Sequence, residues 1–360
     1  MGNTNHADAA GLSTKHKVLS ILRSSSSRNE GSSSSAEQQE KSALSGQTIA
    51  SLIGVSRVSV WKAIQSLQSA GYEITSGKNG YTLYRDIPDS LNAWEFEKNE
   101  QVFTHFAVTD STMTEARKIA QAAVSSFNQT ESSPSISCRR NVPAQNSIAR
   151  VVTADSQLKG QGRGEHSWTT TEGSLACTLV TFSRLPVAAS HRLTMAAQIA
   201  LTRALKSKSK RHFFPRWPND VYSESGKVAG ILDELSSRGG VCLWINIGLG
   251  VNITSAPGIS GADCAVKAGE KPFLRKELLS LFCEEFESRL LIAAQETSSL
   301  ADEWNSLCED TGKTLSLQNG SEALFKGIDG LGRAELTLKA SGQTLSALPG
   351  TLTIKKRRAT

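Results

Sequence analysis

Arg216-Trp217-Pro218-Asn219-Asp220-Val221-Tyr222, followed after a short polar bend by Lys227-Val228-Ala229-Gly230-Ile231-Leu232, is the stretch on which the reading of this chain turns. Proline fixes one backbone angle and Asn-Asp favours a bend, so Trp-Pro-Asn-Asp reads as a tight turn. The apolar run opening on Lys227 reads as a strand. Packing alone gives little reason for Arg, Trp, Asn and Asp to gather at one bend. Two glycine-rich segments accompany it: Gly160-Gln161-Gly162-Arg163-Gly164-Glu165-His166-Ser167-Trp168 upstream and Gly248-Leu249-Gly250-Val251-Asn252 downstream. Glycines let the backbone approach a ligand closely and turn its N–H groups toward an anion. Either segment alone is a common turn.

At 360 residues the chain has room for two or three domains, and its 38% hydrophobic content supports packed cores beside polar segments. No apolar run approaches a bilayer span, and residues 1–10 lack the basic start and apolar stretch of a signal peptide. A cytoplasmic protein without a membrane partner is expected. Six cysteines (Cys138, Cys177, Cys242, Cys264, Cys283 and Cys308) are scattered with no CxxC pair. That spacing predicts free thiols in a reducing compartment and no zinc or disulfide framework. His6, His16, His105, His191 and His212 show no ligand spacing, so no metal site built from protein ligands alone is expected. The net charge of +6 hints at polyanion binding; Lys355-Lys356-Arg357-Arg358 carries much of it and otherwise reads as a solvated end.

Composition divides the chain into three. Residues 14–86 begin with a short helix predicted over 15–23. The serine runs 24–27 and 32–35 fall in an insertion, residues 24–42, expected to be a mobile loop because it buries little apolar surface. Residues 47–53 read as a helix, Gly54-Val55 as a turn and Ser56 as the N-cap of a second helix over 57–70. Val60, Ala63, Ile64 and Leu67 share one face of that helix at helical spacing. A hairpin, 73–76 and 81–84, turns through residues 77–80 with Lys78 and Asn79 at its tip. This is the winged helix-turn-helix pattern. It predicts DNA binding through Ser56, Arg57, Trp61, Lys62, Gln65 and Lys78, with a plain interaction module as the alternative.

Residues 99–305 alternate strands (151–154, 175–182, 228–232, 241–247) with helices (115–124, 191–205, 275–291). They predict an α+β domain: a mixed, largely antiparallel sheet with helices on one face. Residues 125–147, rich in Ser, Asn and Pro, read as a surface insertion. No GxGxxG leads from a strand into a helix, so a Rossmann fold is excluded. Residues 311–357 hold short strands at 314–317, 323–327, 334–338 and 351–354 between glycine turns, predicting an SH3-like β-barrel.

The three quoted segments resemble the KWPND-turn-KxAGIL, GRGRxGRxW and GxGxN segments of biotin–protein ligases, in that family's order and at compatible spacing. The three-part organisation resembles the bifunctional members that double as biotin operon repressors. The resemblance covers nearly the whole chain apart from the Ser-rich insertions and the ends. It implies a biotin/lipoate-ligase-like fold in the central region and ATP-dependent chemistry in two steps. Biotin and ATP form biotinyl-5′-AMP, and biotin then passes to a lysine of a carboxylase's biotin carboxyl carrier protein. Biotin, ATP and Mg²⁺ are the implied ligands. Operator DNA and, with biotinyl-AMP bound, a second copy of the chain are implied partners.

Matched residue by residue, Ser111, Thr112, Met113 and Gln157 fall where the family holds the neutral ureido head of biotin, which calls for hydroxyls and amides. Met113 stands where Asn is frequent, and Ser111-Thr112 also suits the cap of the helix that follows. Gln161, Gly162, Arg163, Arg216, Gly248 and Gly250 complete the implied biotin site. Gly160, Arg163, His166, Trp168, Asn219, Asp220, Lys227 and Asn252 make the implied ATP and adenylate site, with Arg163 and Arg216 as catalytic cations. A carboxylate brought to a polyphosphate needs such cations: one unit-charge repulsion at ~4 Å is worth roughly 4 kcal/mol at an intermediate dielectric. Gln161 and His166 stand where Arg is usual, and Arg216 where Lys opens the turn. These departures leave open a catalytically weakened, biotin-sensing transcriptional regulator. Asn219 and Asp220 are read either as fixing the turn or as nucleotide or metal contacts, and Lys227 as a phosphate contact or a solvated strand end. A lipoate ligase relative is a third reading, against which the WPND segment and the winged helix argue.

Overall fold

The computed structural model describes residues 12–27, 43–97, 99–131, 147–295, 298–352 and 354. Two compact units result, Met1–Gln101 and Val102–Thr360.

In the first unit, α1 (Thr14–Ser27), α2 (Gly46–Ile53) and α3 (Arg57–Ser69) precede a hairpin of β1 (Glu73–Gly77) and β2 (Gly80–Arg85). Ser45 and Ser56 cap α2 and α3, their hydroxyls accepting from the N–H of Thr48 at 3.0 Å and Ser59 at 3.1 Å. Gly54 stops α2 at φ 70°, a left-handed conformation that glycine adopts without steric penalty. Val60, Ala63, Ile64 and Leu67 pack against Val18, Leu19 and Leu22 of α1 and Ile74 and Leu83 of the hairpin. That shared face holds helices too short to persist alone. The helix-turn-helix with its two-stranded wing forms as expected. Serines 24–27 do not form a loop. They are the last turn of α1, which the packing of Val18, Leu19 and Leu22 on α3 holds helical; Ser24 donates back to Ser20 O and Ser25 and Ser26 to Leu22 O. Arg23 beside them is held by Asp86 and Glu95, each at 2.8 Å. Residues 28–42 of the expected insertion, with the serine run 32–35, lie outside the described residues.

In the second unit the strands are β3 (Phe103–Thr109), β4 (Ile148–Gln157), β5 (Leu175–Thr181), β6 (Phe213–Arg216), β7 (Asp220–Ser223), β8 (Lys227–Arg238) and β9 (Val241–Val251). They form one sheet in the order β3-β4-β5-β9-β8-β7-β6, antiparallel except between β3 and β4. Helices α4 (Thr112–Glu131), α5 (His191–Lys208), α6 (Arg275–Ala293) and α7 (Ser299–Leu307) complete it. The helices cover both faces, not the single face expected. Asp233 and Glu234 are successive residues of β8 and so point to opposite sides. Glu234 pairs with Arg117 of α4, whereas Asp233 accepts from Thr194 of α5 at 3.3 Å. The sequence pattern does not reveal this because every residue of β5 is buried, so the usual apolar–polar alternation is missing.

Strand β9 also runs past its expected end. It is flanked by β5 and β8 as far as Val251, which brings Gly248 and Gly250 into mid-sheet. Residues 125–131 of the expected surface insertion continue α4, and 132–146 lie outside the described residues. C-terminal strands β10 (Thr314–Ser316), β11 (Glu322–Ile328), β12 (Ala334–Leu338) and β13 (Thr344–Ala347) form an antiparallel meander. The fourth strand is β13 and not the expected 351–354. Ser341-Gly342-Gln343 reverses the chain so that 344–347 pair with β12, while Leu352 and Ile354 make only isolated bridges. Cys177, Cys242, Cys283 and Cys308 are buried free thiols and Cys264 is half-buried; Cys138 lies outside the described residues. No helix of the described residues is long and apolar enough to cross a membrane.

Candidate active site

A cavity of about 390 Å³ opens over Thr178 of β5, Gly230 and Leu232 of β8, and Gly248 and Gly250 of β9. This is the sheet face on which Ala116 and Ala120 of α4 pack with Val152, Val180 and Trp244. Every residue expected at the biotin and ATP sites lines it except Gly160. Gly160 sits at the base of its loop, where a Cβ would lie 2.3 Å from Trp168 O.

The N-terminus of α4 brings in Ser111, Thr112 and Met113. Gln157 Oε1 accepts from Thr112 N–H at 2.8 Å and from its hydroxyl at 3.1 Å, and the Thr178 hydroxyl donates to Thr112 Oγ1 at 2.9 Å. The helix start is therefore tied to β4 and β5 through groups that can also face a neutral ligand. Met113 lies across the floor, its methyl 2.7 Å from where a Cβ on Gly248 would be.

Residues 160–168 fold as a tight loop. Gly162 N–H donates to His166 O and Trp168 N–H to Gly160 O, each at 2.8 Å. Gly164 takes φ +63°, and a Cβ on Gly162 would lie 2.9 Å from His166 O. The loop carries Arg163 and Trp168 over the sheet. Arg163 Nη1 and Trp168 Nε1 are buried without hydrogen-bond partners. The Trp168 indole rests on two glycines: a Cβ at Gly250 would lie 2.3 Å from its Cε2, and one at Gly230 3.2 Å from its Cζ3. Gly250→Ala is expected to push the indole off the sheet at about 1–3 kcal/mol of misfit. Trp fluorescence and the KM for both substrates of the expected adenylation would report it.

The Trp217–Pro218 peptide is cis. Asn219 fixes the turn, its side-chain amide donating to Ile231 O while Ile231 N–H returns a bond to Asn219 O at 2.8 Å. Gln198 of α5 braces the turn from behind, donating to Arg216 O and Asp220 O, both at 2.9 Å. The two cations at this bend are engaged. Lys227 Nζ lies 2.6 Å from Asp220, and Arg216 Nε donates to Asp310 at 2.7 Å while its Cζ stands 4.4 Å from the Tyr222 ring centroid. Burial works against the Arg216 charge, yet the Asp310 hydrogen bonds and charge prevail and hold it above its ordinary range. Arg216 thus reaches the cavity wall with its fork already bound, and Lys227 is not a solvated strand end.

Asn252, just past β9, donates to Asp263 O at 3.1 Å, and its buried Oδ1 has no partner. Sequence reasoning missed the facing wall, Pro257 and residues 259–262, whose Gly, Pro and Ser content reads only as loop. It is docked by Lys227 N–H donating to Gly261 O at 2.8 Å and by Arg211 on Asp263 at 2.6 Å. Burial opposes ionisation of Asp263, but bonds from Ser223 and Arg211 hold its carboxyl below the usual range. Also missed were Leu352 and Ile354 at the cavity, and Asp310 behind Arg216. No local motif marks any of them.

In the first unit the expected DNA-facing residues divide. Arg57, Trp61 and Lys78 line a groove of about 570 Å³ between α3 and the hairpin, and Lys62 is exposed nearby. The Ser56 hydroxyl is spent on its cap, and the Gln65 amide donates to Gln68 at 3.1 Å.

Residues 139–252 match the Biotin/lipoate A/B protein ligase family, and residues 37–82 match an HTH domain. The "Bifunctional ligase/repressor BirA" of Bacillus subtilis (strain 168) is 28% identical over 222 residues, 59% of this chain. The chain spans 61% of that relative's length. The protein of the same description from Escherichia coli (strain K12) is 24% identical over 298 residues, 79% of this chain and 85% of the relative. Among solved structures, a biotin protein ligase from Aquifex aeolicus in complex with biotin and ATP superposes with a TM-score of 0.53 at 20% identity, over 71% of this chain and 99% of that one. The last likeness establishes fold alone. With the helix-turn-helix in the first unit and the glycine-floored cavity in the second, the chain carries a biotin/lipoate A/B protein ligase domain together with an HTH domain and is a homologue of bifunctional ligase/repressor proteins.

Proposed function

We propose that this chain is an ATP-dependent biotin–protein ligase that also binds operator DNA as a biotin-responsive repressor. The observation that carries the reading is the convergence of the three glycine and WPND segments on one cavity in which Arg163 Nη1, Trp168 Nε1 and Asn252 Oδ1 are buried without partners. Buried polar groups are rarely left unpaired, so two donors and an acceptor on residues lining one cavity call for a polar ligand.

In the first step a carboxylate oxygen of biotin attacks the α-phosphorus of ATP, and the bond to the bridging oxygen breaks to release pyrophosphate. Arg163 supplies a planar fork for the anions as they meet. Asn252 Oδ1 suits an amino or hydroxyl donor of adenosine, and Ser111, Thr112 and Gln157 suit the ureido ring. Among the described residues no three His, Cys, Asp or Glu side chains cluster to hold a metal. Mg²⁺, which would neutralise phosphate charge, would therefore be held chiefly by the phosphates themselves; Asp220, the acidic side chain lining the cavity among the described residues, could join it only by giving up its pairing with Lys227. In the second step a carrier lysine amine attacks the acyl carbon. The amide bond forms, AMP departs, and the ammonium proton is lost to solvent. Reaction in the cytoplasm, where carrier and operator are found, is part of the proposal.

Incubation with biotin, MgATP and a carrier domain, followed by mass spectrometry, tests this. Bound biotinyl-5′-AMP and a biotin-sized gain on one carrier lysine are expected; absence of both would remove the ligase reading. Engagement of Arg216 by Asp310 and Lys227 by Asp220 favours a second reading, the weakened biotin sensor, for which adenylate forms without transfer or neither product appears while biotin still binds. Dimerisation on biotinyl-AMP would place two helix-turn-helix units on a palindromic site. Size exclusion with and without biotin plus MgATP checks it.

A further inference from the structure

We propose that Val58 and Trp61 of α3 are the sequence-reading residues of the first unit, and that they read the 5-methyl group of thymine in the major groove of B-form DNA. The inference rests on the DNA-binding reading above and adds what the protein selects.

The apolar residues of α3 divide sharply. Val60, Ile64 and Leu67 are fully buried, whereas Val58 is 60% and Trp61 52% exposed. Three residues apart on a helix, Val58 and Trp61 lie on the same side, opposite the core face. Together they line the groove between α3 and the hairpin, beside Arg57 and Lys78. Exposed apolar surface framed by polar groups marks an interaction site.

The frame selects the occupant. Arg57, Lys62 and Lys78 are exposed, and among the described residues no acidic side chain lines the groove. An apolar strip between cations, free of acids, suits a polyanion that carries an apolar element. Duplex DNA is such a ligand: its phosphates flank a major groove about 12 Å wide, which admits an α-helix, and thymine methyl is the apolar group on that edge. Of the neutral side chains on this face, the Ser56 hydroxyl caps α3 and the Gln65 amide is bonded to Gln68, so beside the cations Arg57 and Lys62 the apolar strip is the surface left for a base edge. Methyl recognition is what the apolar part of that surface, Val58 and Trp61, offers.

The test uses the full chain with biotin and MgATP to select from a random-sequence duplex library. The enriched duplex is then resynthesised with dU for dT, which deletes the methyls and leaves pairing intact. Wild-type affinity is expected to fall about tenfold on the dU duplex, the scale of one mismatched contact. Val58→Ala, at an exposed position, is expected to bind the dT duplex more weakly than wild type does and to distinguish it from the dU duplex by a smaller factor, with Trp61 still in place. Arg57→Ala is expected to weaken both alike and lower the salt slope by about one. Equal wild-type affinity for dT and dU duplexes overturns the proposal and leaves DNA binding standing. Failure to enrich any duplex overturns it together with the DNA-binding reading.

Discussion

Arg163→Ala is expected to slow biotinyl-adenylate formation by about 10²–10³-fold, the scale of losing one preorganised donor to developing charge. The electrostatics of the cavity give the reason. Of the three Lys and Arg side chains lining it among the described residues, Lys227 is paired with Asp220 and Arg216 with Asp310. Arg163 differs in having a buried guanidinium nitrogen without a partner. It is therefore the cation whose charge is not already offset when a carboxylate and a triphosphate arrive. Because it makes no hydrogen bond that the fold depends on, its removal is expected to change stability by no more than about 0.5 kcal/mol. Pyrophosphate release at saturating biotin and MgATP reads the chemical step, and urea unfolding reads stability. Arg163→Lys keeps the charge but loses the fork, so it is expected to recover ATP binding more than rate. An Arg163→Ala variant turning over within threefold of wild type would mean that another group stabilises the charge developing in this step.

Asp310→Ala is expected to destabilise the second unit by about 3–5 kcal/mol, the cost of leaving one member of a buried ion pair uncompensated. The side chains of Arg216 and Asp310 are only 17% and 7% exposed, so solvent cannot take the place of the lost carboxylate. The urea midpoint should fall with an unchanged slope. The surviving protein should show a raised KM for biotin, because an unpaired Arg216 no longer has a partner fixing its place against Tyr222 at the cavity wall. Arg216→Met with Asp310→Leu separates the two consequences. Replacing both charges with apolar groups is expected to recover most of the stability without recovering adenylation. A midpoint unmoved by Asp310→Ala would show that the pair does not hold this wall of the cavity.

The Arg216–Asp310 pair also shows where motif reading stops. The WPND turn was legible because Pro and Asn-Asp act locally, and the structure ends β6 and starts β7 around it. Arg216 was legible as a cation beside the site. Its neutralisation was not, since its partner lies 94 residues away, between α7 and β10. Lys227 is the milder case: its partner Asp220 sits within the quoted stretch, but only the pairing of β7 with β8 brings the two side chains together.

Features with a local or periodic cause could be read from the chain alone. Ser45 and Ser56 cap their helices, Gly54 breaks one, and the spacing of Val60, Ala63, Ile64 and Leu67 gives α3 its buried side, which together yield the winged helix-turn-helix. The glycines of 160–168 and 248–250 announced close backbone approach, and the cavity has them. Long-range packing, by contrast, put helices on both faces of the sheet, because β5 is buried throughout and carries no alternation to read. It placed residues 259–262, Leu352 and Ile354 at the cavity, since their sequences carry no chemistry of their own. It also turned serines 24–27 into the end of a helix, where packing of α1 on α3 outweighs a composition that favours loop.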